Sequence, residues 1–259
     1  MSDIAAKLTT IAENQQKVYD AGYAAGQAAG GDTDATYQQG IADGKQAEHD
    51  RFWDAYLNPP TGVGCNYWFA GRSWTDETFR PNKDIIVTGT ASMLFAACLI
   101  TDLQALLDWL GVKLDFSKCT AMSQFLTDSE ITRIGVVDTT SASSLNNAFW
   151  GARSLHTIEA LIFRDNGSQT FSNTTFNNCK SLANINSVAG VIGSSVNFQW
   201  SVLLSKASIA NIINALSATA SGMTLTLSET AVTNAFGSTT ADEWTALIAT
   251  KSNWTISLV

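Results

Sequence analysis

Basic residues are scarce in this sequence. The 259 residues include 15 Lys and Arg against 23 Asp and Glu, which gives a formal net charge of −8. Proteins that bind nucleic acid or an anionic membrane surface need clustered Lys and Arg to contact phosphate. We therefore expect neither kind of partner, and the acidic surface is typical of a protein that stays in solution.

Long apolar runs and a secretory leader are also missing. The longest apolar run, ASMLFAACLI at 91–100, is much shorter than a membrane span requires. The first residues, MSDIAAKLTTIAENQQ, lack a basic segment followed by an apolar one, which a signal peptide needs. We expect no membrane insertion. We also expect the protein to be made in a reducing cytoplasm without a signal peptide.

Residues that carry chemistry are few. The two histidines, His49 and His156, belong to no His-Glu-x-x-His motif, and the chain has no Gly-x-Ser-x-Gly motif. Cysteines at 65, 98, 119 and 179 share no Cys-x-x-Cys spacing, so we expect buried free thiols. We expect no catalytic, cofactor-binding or metal-binding residues, although carboxylates distant in the chain leave a glycosidase pair open.

Apolar residues at the start of the chain follow the spacing of a coiled coil, in steps of four and three. The predicted seam consists of Ile4, Leu8, Ile11, Gln15 and Val18. Leu at the first core position with Ile at the second favours more than two strands, so we expect a homotrimer. The alternative is an amphipathic helix that packs on its own globular domain.

Residues 1–57 are expected to form a helical oligomerisation and attachment segment of two helices. A Tyr-x-x-Gly-x-x-x-Gly motif occurs at Tyr19 and again at Tyr37, on either side of a linker at 30–36. Paired prolines in NPPTGVG (58–64) end the second helix. Residues 58–90 are expected to connect this segment to the body of the chain.

The body, residues 91–204, repeats a short pattern. Each segment begins with Phe and ends eight or nine residues later on an aliphatic residue, and the leading residues lie 24–30 positions apart. The segments are FAACLITDL (95–103), FLTDSEITRI (125–134), FWGARSLHTI (149–158), FNNCKSLANI (176–185) and a weaker, Leu-led LLSKASIANI (203–212). A period of this size predicts a solenoid, in which stacked segments bury one continuous core.

Stacking predicts two columns of buried side chains. One column contains Phe95, Phe125, Phe149 and Phe176, and the other contains Leu103, Ile134, Ile158 and Ile185. β-prone stretches follow the aliphatic residues at GVVDTT (135–140), EALIFRD (159–165) and SVAGVIG (187–193), and we expect them to form a parallel sheet.

Residues 205–259 are expected to be helix–strand capping units. Helical spacing occurs at 205–218 and at 240–253, and strand patterns occur at 223–228 and in the final WTISLV. Two capping boxes are predicted, Thr101 with Gln104 for a helix that ends near Leu110, and Thr240 with Glu243. The predicted fold class is thus α/β: an N-terminal helical segment, an irregular leucine-rich-repeat-like solenoid with a parallel sheet, and a helix–strand cap.

The pattern Phe-x-x-Cys-x-Ser-Leu-x-x-Ile, complete at 176–185, resembles the BspA-type leucine-rich repeat. Nearly the whole chain resembles phage and prophage proteins of gut bacteria, most specifically at 37–56, which contains GKQAEHDRFWDAY, and in FAGRSWTDETFRP (69–81). The repeats depart from the pattern at 125–134, which lacks the Cys, and at 203–212, which lacks the Phe.

This resemblance implies a virion protein of the tail, fibre or baseplate, made in the bacterial host cytoplasm. It implies attachment to other virion tail proteins through the N-terminal helices and recognition of a host surface glycan or protein through the repeats, without catalytic residues. Exposed aromatics in NFQWS (197–201) and GCNYWFAG (64–71) would suit sugar binding, and core packing is the alternative for them. Rival hypotheses are a bacterial surface adhesin, a cell-wall polysaccharide depolymerase and an intracellular scaffold.

Overall fold

A computed structural model of the chain describes residues 84–259. The predicted coiled-coil seam, the attachment segment at 1–57 and residues 58–83 of the connecting region lie outside the described residues. The described part has an α/β fold in which all strand pairs are parallel, so the predicted fold class is confirmed at this level.

Short strands and helices alternate with long turns. The strands are β1 (Ile85–Ser92), β2 (Leu114–Ser123), β3 (Arg133–Asp138), β4 (Thr157–Ile162), β5 (Asn184–Ile185), β6 (Val188–Ala189), β7 (Val196–Phe198), β8 (Met223–Leu227) and β9 (Trp254–Leu258). The helices are α1 (Leu103–Leu110), α2 (Lys206–Ala215), α3 (Glu229–Phe236) and α4 (Asp242–Ala249). None of these four helices is long and apolar enough to cross a membrane.

The strands form three parallel sheets, and within each sheet they pair largely in chain order. β1 pairs with β2, β3 pairs with β4, β4 pairs with both β5 and β6, and β7, β8 and β9 form a third sheet in that order. Isolated bridges join Ala121 to Ser144 and Ser144 to Thr170, which continues the pairing between turns. Parallel pairing of consecutive strands requires the chain to return to the same end between them, and the long turns make that return.

Two of the three predicted strands in the repeats are confirmed, as β3 and β4. The third stretch, SVAGVIG, contains only the two-residue β6. Gly190 has a left-handed φ of 77°, and a Cβ there would overlap the carbonyl oxygen of Phe163. The chain therefore turns at this glycine, against the preceding segment, instead of extending the strand.

The predicted phenylalanine column is confirmed for three of its members. Phe125 contacts Phe149 edge to face, and Phe149 stacks on Phe176 with ring centroids 4.8 Å apart. Phe116 and Phe198 extend the column at its two ends. The fourth predicted member, Phe95, is fully buried and donates its backbone N–H to the carbonyl of Phe125 at 2.7 Å.

The aliphatic column forms where strands pair. Ile134 lies opposite Ile158, and Ile158 lies opposite Ile185. All three are buried, and so is Leu103, which follows the bridge between Asp102 and Arg133.

The fifth segment begins at a different residue from the predicted Leu203. Leu203 is 53% exposed, whereas Phe198 is buried and stacks on Phe176 at 4.2 Å. Leu204 and Leu182 are both buried, and each lies six residues after the leading phenylalanine of its segment, Phe198 and Phe176. The sequence pattern matches Leu203 to phenylalanine because the true leading residue lies only 22 positions after Phe176.

A small buried residue occupies the same turn in each segment. Its backbone N–H bonds to the carbonyl three residues earlier, at Cys98, Ser129, Ala152, Cys179 and Ser201. In the segment that starts at Phe125 the position is held by Ser129 instead of the expected Asp128, because one extra residue precedes it. Asp128, directly before Ser129, is exposed and has a left-handed φ of 50°, as Ala97, Gly151 and Asn178 have before the small residues of their segments.

The C-terminal elements largely follow the prediction. α2, β8, α4 and β9 lie within the predicted ranges, and α3 was not predicted. Both capping boxes are wrong by one residue: Asp102 caps α1 by accepting from the N–H of Ala105, and α4 begins after Ala241 without a side-chain cap. Because α4 starts late, Glu243 is one position too early to reach back to the cap and instead bonds to Lys206.

Candidate ligand-binding surface

The turns that follow each phenylalanine lie against one another and carry exposed side chains. Hydrogen bonds from the N–H of Gly151 to the carbonyl of Asn177, and from the N–H of Asp128 to the carbonyl of Gly151, hold these turns against each other. We call these exposed residues the turn surface, which includes Ala97, Leu99, Asp128, Glu130, Arg153, Lys180, Trp200, Val202 and Leu203.

Arg153, Lys180 and Val202 each follow the small buried residue of their segment, so they are equivalent positions in successive turns. Arg153 has an acidic partner, with its Nε 3.7 Å from Oδ1 of Asp128. The Nζ atom of Lys180 instead lies 5.5 Å from the centroid of the Trp200 ring. Within the described residues Lys180 forms no ion pair. The surface therefore carries one cation without an acidic partner beside an aromatic ring.

The aromatic residues of NFQWS divide between the core and this surface. Val196 and Phe198 of β7 are buried, because alternate residues of a strand point the same way. Trp200 lies beyond the end of β7 and is 38% exposed. Phe198 is therefore a core residue, whereas Trp200 is available at the surface. The other aromatic motif, GCNYWFAG, lies outside the described residues.

A second polar cluster crosses the middle sheet. The Nε of Arg133 donates to Oε1 of Glu159 at 2.7 Å, and Nδ2 of Asn186 donates to Oε2 of the same carboxylate at 2.6 Å. Asp102 forms a second ion pair with Arg133, with its Oδ2 3.5 Å from Nη1 of the arginine. The hydrogen bond from Arg133 and that from Asn186 hold the pKa of Glu159 below its usual range. A glycosidase acid needs a raised pKa, so Glu159 is poorly suited to that role.

Within residues 84–259, the remaining polar groups near the turns have no arrangement typical of catalysis. Asp108 accepts from Nε2 of Gln104 at 2.7 Å, and no side-chain hydrogen bond to Glu130 is found within the described residues. His156 is exposed and its Nδ1 lies 3.0 Å from Oγ1 of Thr157, while His49 lies outside the described residues. Between residues 84 and 259 no group of three or more His, Cys, Asp and Glu side chains is placed to hold a metal ion.

The described cysteines are buried free thiols, as predicted. Burial raises the pKa of Cys98 to about 11 and that of Cys179 to about 12. The Sγ of Cys179 donates to the carbonyl of Phe149 at 3.1 Å, which ties adjacent turns together. Cys119 is also buried, and Cys65 lies outside the described residues.

A groove of about 600 Å³ opens among helices α2, α3 and α4. Its lining consists of Ala207, Ala210, Phe236, Ala246 and Leu247, with Lys206 and Glu243 also at the groove. The Nζ of Lys206 is 2.5 Å from Oε2 of Glu243 and 5.5 Å from the centroid of Phe236. Sequence reasoning missed this groove because it missed α3, which supplies Phe236.

These features differ in how their charges are satisfied. In the sheet cluster and the helical groove the cations Arg133 and Lys206 have carboxylate partners, whereas Lys180 of the turn surface lies beside the Trp200 ring and forms no ion pair with any described residue. An exposed indole beside such a lysine can contact both an apolar ligand face and a negative charge. The turn surface is therefore the strongest candidate for binding a ligand.

Comparison of the chain with protein families, with curated proteins and with solved structures found no match.

Proposed function

We propose that this chain is a non-enzymatic structural and receptor-binding protein of a phage particle, of the tail-fibre or baseplate type. It attaches to other virion tail proteins through its N-terminal helices as a homotrimer, and it recognises a host surface ligand through the repeats. The sequence resemblance to gut-bacterial phage proteins supports the virion assignment. The turn surface supports the recognition assignment.

We also propose that residues 91–204 form an irregular leucine-rich-repeat-like solenoid closed by the helix–strand units at 205–259. Three observations support it: parallel pairing of strands in chain order, a column of contacting phenylalanines, and a small buried residue at the same turn of each segment. In such an array the inward residues are constrained by the neighbouring turns, whereas the outward residues are free to vary.

The observation that carries the recognition proposal is the contrast between the two sides of each turn. Phe176 and Cys179 are buried, whereas the residue next to Cys179, Lys180, is exposed beside the exposed Trp200. Substitution at the outward positions leaves the column intact, so ligand preference can change without changing the fold.

Binding to the host envelope tests this proposal. We expect the full-length chain to sediment with isolated bacterial envelopes and antibodies against it to label intact phage particles. No new reducing ends should appear when it is incubated with cell-wall polysaccharide. Release of reducing ends would favour the depolymerase, and labelling of the bacterial surface without phage would favour the adhesin.

The attachment segment has its own test. Light scattering should give about three times the chain mass of 27.7 kDa. Removal of residues 1–30, which contain the predicted seam, should give monomers that still sediment with envelopes but release faster, because the trimer binds through several sites at once. A full-length monomer would contradict the trimer.

A further inference from the structure

We propose that Lys180 and Trp200 form a binding site for a negatively charged sugar residue of the host envelope. This inference rests on the recognition function proposed above and adds the chemical class of the ligand. It follows from the shape of the aromatic surface, from the charge beside it and from the polar groups of the adjacent turn.

The exposed indole supplies the apolar contact. Trp200 follows the strand β7 and is 38% exposed, although Phe198, two residues before it, and Ser201, directly after it, are buried. A pyranose ring presents one face of C–H groups, and a flat exposed aromatic ring is the side chain that best covers such a face while leaving its own polar edge in water.

The lysine supplies the charge preference. The chain has a net charge of −8, which on balance disfavours an anionic ligand. Arg133, Arg153 and Lys206 all have carboxylate partners, and an incoming anion would have to compete with them. Among the described residues Lys180 forms no ion pair and lies 5.5 Å from the centroid of the Trp200 ring, so its ammonium can bind a sugar carboxylate or phosphate without first breaking an ion pair with any of them.

The adjacent turn supplies a polar group for sugar hydroxyls. Asn178 holds the position in its segment that Trp200 holds in the next one, two residues after the leading phenylalanine. Within the described residues its side-chain amide makes no hydrogen bond to protein, although its backbone carbonyl accepts from the N–H of Lys180. An amide both donates and accepts, as pairs of sugar hydroxyls require.

Calorimetric titration of the full-length chain with oligosaccharides tests the site. The probes are hexagalacturonate, which carries carboxylates, a ribitol-phosphate oligomer, which carries phosphates, and neutral maltohexaose. We expect at least one charged probe to bind, more weakly as salt is added, and the two charged arms tell a carboxylate preference from a phosphate preference.

The variant K180Q should lose about tenfold in affinity for the charged probe, because a hydrogen bond to a charged group is lost. K180R should retain most of the binding, and K118Q, which removes an exposed lysine from β2, should change nothing. W200A should weaken binding of charged probes by a similar factor, whereas V136S, which changes an exposed apolar residue of β3 away from the turn surface, should not. Melting curves should show that these exposed substitutions leave the fold intact.

Several outcomes would overturn the proposal. These are equal affinities for K180Q and K118Q, a preference for maltohexaose, and failure of wild type to bind either charged probe. Envelope sedimentation separates this result from the broader function. If wild type and K180Q bind envelopes equally well, the recognition function stands and the charged-sugar site is wrong; loss of binding after protease treatment of the envelopes would indicate a protein ligand instead.

Discussion

Phe149 and Phe176 lie 27 positions apart in the sequence and stack face to face, with their ring planes only 9° from parallel. Phe149 also contacts Phe125 edge to face, with ring centroids 5.1 Å apart. One side chain therefore joins three turns of the chain. Residues of such separate segments stabilise the fold only when all of the turns are in place, so unfolding of this region should be cooperative.

Truncation of the central ring tests this cooperativity. Phe149→Ala should lower the free energy of unfolding by about 3–5 kcal/mol, because it removes a buried ring and leaves a cavity between two others. Urea unfolding measured by fluorescence and by circular dichroism should shift by the same amount. The control Val136→Ala removes an exposed side chain and should change stability by less than about 0.5 kcal/mol. A loss at Phe149 as small as the control's would contradict the role of the column.

The left-handed turns give a second prediction. Ala97 has a φ of 52° and Gly151 has a φ of 74°, each two residues after a leading phenylalanine. Ala97→Gly removes the steric strain of a left-handed alanine but adds the conformational entropy cost of glycine. The first effect is larger, so the variant should be more stable by about 0.5–1 kcal/mol. Gly151→Ala should destabilise it, because the new methyl would also lie 3.3 Å from Cγ2 of Thr127.

The matched control for this pair is Ala105→Gly in helix α1. The same substitution at a helical φ should destabilise by about 1 kcal/mol. Thermal melts of the three variants compare the signs directly. Destabilisation by Ala97→Gly as large as that by Ala105→Gly would show that the turn at Ala97 is not strained.

The buried thiols should be inert in the folded protein. Burial raises the pKa of Cys98 and that of Cys179 well above 8, so both thiols are protonated at pH 8, and the thiolate is the reactive form. Iodoacetamide at pH 8 should leave Cys98 and Cys179 unmodified until denaturant is added, as peptide mass spectrometry would show. Rapid alkylation of Cys179 in native conditions would mean that this turn opens readily.

The amino-acid pattern predicts the inward side of this fold better than its register. Phenylalanine and aliphatic residues recur at spacings that stacking requires, so Phe125, Phe149, Phe176 and the Ile134–Ile158 pair can be placed from the pattern alone. The fifth segment is misplaced because its leading Phe198 comes early and because Leu203, beside the buried Leu204, fits the apolar pattern equally well. A single extra residue before Ser129 shifts another segment in the same way.

The candidate surface can be predicted only in part. The motif NFQWS indicates aromatic residues suited to binding, but a sequence does not state which side of a turn each one occupies. The contact between Lys180 and Trp200 joins adjacent turns, so it depends on the stacking register, and the predicted register is wrong at this segment. Helix α3 is missed because its apolar face is short, with Ala231 and Val232 as its buried residues.

The carboxylate of Glu159 gives a prediction for the pH dependence of stability. Its pKa in the folded protein is lowered from an ordinary value of 4.5, first by the hydrogen bond from Arg133. A lowered pKa means that the unfolded chain binds this proton more readily, so the stabilising contribution is complete above pH 4.5 and is lost as the pH falls through the lowered value. Glu159→Gln should therefore be less stable than wild type at pH 7 and should match it more closely below pH 4.

Because the pair is partly exposed, the difference at pH 7 should stay below about 1 kcal/mol and should shrink in 1 M salt. Urea titrations of both proteins at pH 7 and pH 3.5 measure it, and an advantage of wild type that grows on acidification would show that Arg133 does not stabilise the charged form.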